Sequence, residues 1–181
     1  MTTSTALFRG INVGGRNTLP MHDLRDLLQD LGCEDVRTFI QSGNAVFDHP
    51  EPTSGLAGQI REAVLSKHGF EPAVLLLTME QLEKAVQSNP FPDAVSDPSK
   101  LLLFFLAEAP EHPDLEAIEN IRSDSERFAL VGSVAYLHAP GGIARSRLAA
   151  RFERIVGVEA TARNWRTVTT VSYTHLRAHE T

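Results

Sequence analysis

The feature that most constrains this chain is the order in which its apolar residues change period. Thr5-Ala-Leu-Phe-Arg-Gly-Ile11 reads as a strand that runs into a glycine-rich turn, Asn12-Val-Gly-Gly-Arg-Asn17. Met21, Leu24, Leu27, Leu28 and Leu31 then repeat at three-and-four spacing, which predicts a helix with Pro20 at its start and Gly32 as its stop. Val36 to Ile40 and Ala45 to Phe47 are short β-rich runs around Ser42-Gly43-Asn44, which is hairpin chemistry. A second helix carries Leu56, Ile60, Ala63 and Val64 on one face, with Gly69 beyond its end, and Ala73 to Leu77 reads as a fourth strand.

The order β-α-β-β-α-β predicts a ferredoxin-like plait, with two helices over one face of a four-stranded antiparallel sheet and the other face left open. Thr78 should cap a short helix with Gln81 at the capping-box position. The three prolines between Asn89 and Pro98 suit an ordered connection. Beyond them the same order recurs: strand Leu101 to Leu106, a short helix near Pro113 to Ile121, strands Phe128 to Val131 and Val134 to His138, a helix from Ala144 to Val156, and a short extended piece from Glu159 to Ala162. The expected fold is therefore α+β, two tandem ferredoxin-like plaits with antiparallel sheets. Residues 1–88 form the first unit with its connecting helix, 89–98 the connection, and 99–170 the second unit. The repeat is one of element order, since no fixed residue period is visible.

After Thr170 this logic stops. Residues 171–181 match no expected element and read as translated adapter or vector sequence, which excludes them from fold reasoning. His175 and His179 in that tail imitate a metal pair only by spacing.

With 42% hydrophobic residues in 181, the chain can bury a core, and whole-chain disorder is excluded. It has no eighteen-residue apolar run and no leader pattern at Met1, and its single cysteine, Cys33, fits a reducing compartment, so a cytoplasmic protein without membrane association is expected. The net charge of -6 argues against a general nucleic-acid coat. Against that acidic background, residues 138–170 hold Arg145, Arg147, Arg151, Arg154, Arg163 and Arg166 against only Glu153 and Glu159. An all-arginine patch suits carboxylate or phosphate, and it equally suits the basic face of a surface helix.

Four stretches are candidates for chemistry. In Arg9-Gly-Ile-Asn-Val-Gly-Gly-Arg-Asn17, backbone amides at Gly14 and Gly15 could face an anion while Arg9, Asn12, Arg16 and Asn17 supply polar groups; the spacing is neither a dinucleotide fingerprint nor a P-loop. Pro140-Gly-Gly-Ile-Ala-Arg-Ser-Arg147 places Arg145 and Ser146 in a first helical turn, where positive charge opposes the helix dipole. Gln41, Ser42 and Asn44 form a polar hairpin tip. Arg163-Asn164-Trp165 could stack on a ring and grip an anion together.

These segments resemble the bacterial domain-of-unknown-function family 1697. The resemblance is carried by Leu7 to Asn17, Asp35 to Phe47, Asn89-Pro-Phe-Pro92, Arg145-Ser146 and Ala160 to Val168, and so spans about residues 5 to 170. It implies two tandem ferredoxin-like units and no established activity, substrate or cofactor. In the family the last motif usually leads into a lysine and a further apolar helix, where this chain has Thr170 and the foreign-looking tail.

Three functions compete. The first is binding of an anionic, phosphate-bearing small molecule or nucleotide where the two units meet. The second is single-stranded nucleic-acid binding on an open sheet face, with Phe8 and Phe47 on the two central strands. The third is an enzyme acting on a phosphorylated substrate, with His22 the one acid-base residue near the glycine loop. The motifs assign no cofactor, metal, catalytic group or oligomeric state.

Overall fold

The computed structural model describes residues 1–39, 43–50 and 54–180, residues 174–180 through the backbone alone. It divides into two compact units, Met1–Glu83 with Val171–Thr181, and Lys84–Thr170.

In the first unit, β1 (Thr2–Arg9), α1 (Met21–Asp30), β2 (Glu34–Phe39), β3 (Asn44–His49), α2 (Leu56–His68) and β4 (Ala73–Thr78) follow one another along the chain. The strands stand in the order β2-β3-β1-β4, all antiparallel. That is the ferredoxin-like arrangement, with β1 and β3 at the centre. Because side chains alternate across a strand, Ala6 and Phe8 of β1 share a face with Ala45 and Phe47 of β3. They meet Leu24, Leu27 and Leu28 of α1 and Leu56, Ile60 and Val64 of α2 in one core.

This placement corrects the open-face expectation. Phe8 and Phe47 are each 1% exposed in the core with the helices, so neither is a stacking platform for bases. Thr5, Leu7, Asn44 and Val46, on the opposite face, are buried too.

The second unit repeats the topology with β5 (Leu101–Leu106), α4 (Leu115–Ile121), β6 (Arg127–Val131), β7 (Val134–His138), α5 (Arg147–Val156) and β8 (Ala160–Asn164), in the order β6-β7-β5-β8. Leu102, Phe104 and Leu106 of β5 pack with Ile118, Leu148 and Phe152 beneath α4 and α5, and the rings of Phe104 and Phe152 stack with centroids 4.2 Å apart. On the other face the hydroxyl of Tyr136, itself 1% exposed, donates to the Ala85 carbonyl at 2.7 Å. That carbonyl belongs to α3 (Met79–Gln87), whose start is the reciprocal capping box of Thr78 and Gln81.

The proline-rich stretch is built into the second unit. Short 3-10 turns at Pro92–Ser96 and Pro98–Lys100 carry it, and Asp93 receives both Nη atoms of Arg127, at 3.2 and 2.8 Å.

At the other end, the structure departs from the sequence reading. A helix, α6 (Trp165–Glu180), starts inside the last motif and continues past residue 170, where no element was expected. Its start is explained by Asn164, whose Oδ1 accepts the Thr167 N–H at 2.9 Å, and Val168, Val171 and Ser172 are buried along it. No described helix is long and apolar enough to cross a membrane.

Candidate functional site

The glycine loop of the first unit closes on itself rather than leading straight into a helix. Val13 and Arg16 form a β-bridge, the Arg16 N–H donates to the Val13 carbonyl at 3.0 Å, and Gly14 and Gly15 between them have φ of 59° and 73°. Two successive positive φ values define a type I′ turn, which favours glycine at both positions. Behind this tip the Asn12 N–H donates to the Asn17 carbonyl.

The asparagine side chains close the same neck. Asn12 brackets Leu19, accepting its N–H at 2.7 Å and donating to its carbonyl at 3.0 Å, while Asn17 donates to the Gly10 carbonyl at 2.8 Å. Ile11 and Leu19 anchor both sides in the core. Asn12 and Asn17, two of the polar groups expected to face an anion, are thus engaged in the loop itself. Arg16 is exposed, with no side-chain partner among the described residues, and Arg9 lies exposed at the end of β1, paired in register with Ala73.

Gln41 and Ser42 lie outside the described residues. Asn44 is fully buried and donates to the Phe39 carbonyl at 3.2 Å, so it closes the hairpin rather than facing solvent.

In the second unit, Asn164 is the α6 cap just described, and Trp165 is the half-buried first residue of that helix. Arg163 is half-buried on β8, opposite Leu103, and donates to the Ala162 carbonyl at 2.9 Å. Burial pushes its guanidinium down to about 10, which leaves it charged at neutral pH.

Arg145 sits outside the first turn of α5. It ends a 3-10 turn, Ile143–Arg145, and Ser146 is the cap, its hydroxyl accepting the Ala149 N–H at 3.0 Å. Arg147 is the first residue of the helix and opposes its dipole. Arg147, Arg151 and Arg154 are all exposed, while Leu148, Phe152 and Val156 are buried, so most of the arginine patch is the outer face of this amphipathic helix.

Where the patch meets the glycines there is a pocket of about 250 Å³, lined by Ile121, Ser123, Glu126, Gly141, Gly142, Arg145, Ser146 and Arg147. Neither Arg145 nor Arg147 has a side-chain hydrogen bond or ion pair among the described residues. Glu126 is only 5% exposed, and its Oε1 accepts the Ser123 N–H at 2.8 Å. Sequence reasoning named Arg145 and Ser146 but missed Glu126 and Ser123. Their only local signal is the three-residue spacing of a serine and a glutamate, which fixes a turn and says nothing of the glycines it will face. Among the described residues no group of three metal-ligating side chains occurs.

Fold and site together define a class: a tandem-plait α+β protein with an arginine-walled pocket at the start of one helix. The chain belongs to DUF1697, a family described as proteins of unknown function, whose match covers residues 1–136. Among solved structures it is similar to that of the conserved bacterial protein SP0830 from Streptococcus pneumoniae, at 24% identity and a TM-score of 0.70, over 95% of this chain and 97% of that one. That likeness is one of fold. No curated protein matches.

Proposed function

We propose that this chain binds a small anionic molecule, with phosphate the best-matched group, in the pocket ahead of α5. The supporting observation is two guanidiniums, of Arg145 and Arg147, flanking Ser146 in the pocket lining with no carboxylate paired to either among the described residues. Guanidinium forks match phosphate oxygens, and a helix start adds partial positive charge to the same place. Gly141 and Gly142 contribute lining without side chains, so a ligand can approach backbone there. A cytoplasmic setting belongs to the same reading and is supported by the single cysteine, Cys33, which is free and buried.

The test is thermal unfolding of wild type, Arg145→Ala and Arg147→Ala across a series of inorganic phosphate concentrations. A ligand that binds only the native state raises Tm with concentration. The expected result is a phosphate-dependent rise in wild type that is diminished in each variant, while the unliganded Tm values stay close together. A wild-type Tm indifferent to phosphate, against a chloride control at equal ionic strength, removes the reading.

A further inference from the structure

We infer that the pocket is bipolar, selecting a small zwitterion that carries an anion at one end and an ammonium at the other. This rests on the anion reading above and names the rest of the ligand.

The inference starts from Glu126. Its side chain is almost fully buried, yet no cation pairs with it among the described residues. The two arginines nearest in sequence are directed elsewhere: Arg127 binds Asp93 and His138, while Arg122 sends Nε to Glu119 and Nη1 to the backbone carbonyls of Ser123 and Glu126. One carboxylate oxygen takes the Ser123 N–H, and no described residue donates to the other. That second oxygen is not itself buried, so it is open to the pocket Glu126 lines, where an ammonium can give it a charge-assisted hydrogen bond.

The same residue excludes a ligand that is anionic throughout, because a second anion beside Glu126 would be repelled. The pocket lining therefore carries both signs of charge, Arg145 and Arg147 together with Glu126, and no ion pair joins them among the described residues. A molecule with a phosphate or carboxylate and an amine satisfies both. Size narrows the class further. Pockets for drug-sized ligands run to about 300–1,000 Å³, and this one, at about 250 Å³, suits a phosphate or carboxylate with a few carbons rather than a nucleotide.

The experiment is isothermal titration of the full chain with O-phosphoethanolamine, ethyl phosphate and inorganic phosphate at neutral pH. Ethyl phosphate has the same phosphate and carbon chain without the amine. The expected result is that O-phosphoethanolamine binds roughly tenfold more tightly than ethyl phosphate, as a charge-assisted hydrogen bond implies. In Glu126→Gln that preference disappears while ethyl phosphate binding persists, since glutamine still accepts the Ser123 N–H. Equal affinities in wild type overturn the bipolar pocket and leave the anion site standing, a comparison that needs no variant to fold. If none of the three binds, the anion site falls as well.

Discussion

Asn12 reaches across the neck of the β1–α1 loop and holds both backbone groups of Leu19, with its own φ at 52°. Asparagine tolerates that left-handed backbone better than most residues, and its amide offers a donor and an acceptor from one planar group. Asn12→Ala loses both bonds, and the expected cost is about 1–3 kcal/mol in urea unfolding; a change within about 0.5 kcal/mol, the range of neutral surface substitutions, would mean that the neck does not depend on it. Gly43 is constrained differently. Its φ is 85°, and a Cβ there would lie 2.5 Å from Ile11 Cδ1 and 2.8 Å from Phe8 Cβ. Gly43→Ala therefore has to displace core side chains as well as adopt a strained backbone, with an expected loss of roughly 1–3 kcal/mol or more, measured by the same unfolding. The sequence marks both residues as special, as loop polar group and turn glycine, but their partners lie elsewhere in the fold. Leu19 is seven residues away and Phe8 thirty-five, and no local pattern names them.

The elements themselves were far more legible, because period and caps are local. Thr78 and Gln81 cap α3 as their spacing predicts, and the helix expected from Ala144 to Val156 forms over Arg147–Val156 with Leu148 and Phe152 buried. The β8–α6 junction was not legible, since a strand ending in Asn164 and passing directly into a helix leaves no loop between the two patterns. A contact that depends on pH joins β6 and β7 to the proline-rich turn. The Arg127 guanidinium, which can only donate, sends Nη2 to His138 Nδ1 at 2.9 Å while also binding Asp93, so His138 is neutral with its proton on Nε2. Burial and then the Arg127 charge hold the His138 pKa below its ordinary 6.5, against the opposing pull of Asp93 and Asp97. A lowered histidine pKa means the unfolded chain binds more protons, so this contribution is complete above 6.5 and is lost as pH falls below it. His138→Asn keeps an acceptor for Arg127 without a titrating ring. From neutral pH to about pH 5, wild type should lose more stability than this variant, and parallel losses in urea midpoint would exclude the contact as the cause.

For the whole molecule, the repeated order edge, centre, centre, edge makes β1 and β3 the interior pair of one sheet and β5 and β7 that of the other. Ala6 and Ala45 are fully buried on the first pair, as are Leu103 and Leu137 on the second. Native-state hydrogen exchange should therefore show two separate sets of slow amides, one on each central pair, with β2 and β6 exchanging sooner; slow exchange confined to one unit would show that the other opens at low cost. This duplication was readable because each plait is specified by local changes of period, even though its two copies share no residue pattern. The function was less readable because the pocket combines Ser123 and Glu126 with Gly141 to Arg147, segments separated by the whole β6–β7 hairpin. A different consequence follows from the loop between β1 and α1. Its neck is tied by Asn12, Asn17 and Leu19 and by the buried Ile11, all behind the turn at Gly14 and Gly15. The tip is thus a natural port for inserted peptide: an epitope or reporter spliced between those glycines adds only the slowly growing entropy of a longer loop, since the bonds that hold it shut join residues on both sides of the splice.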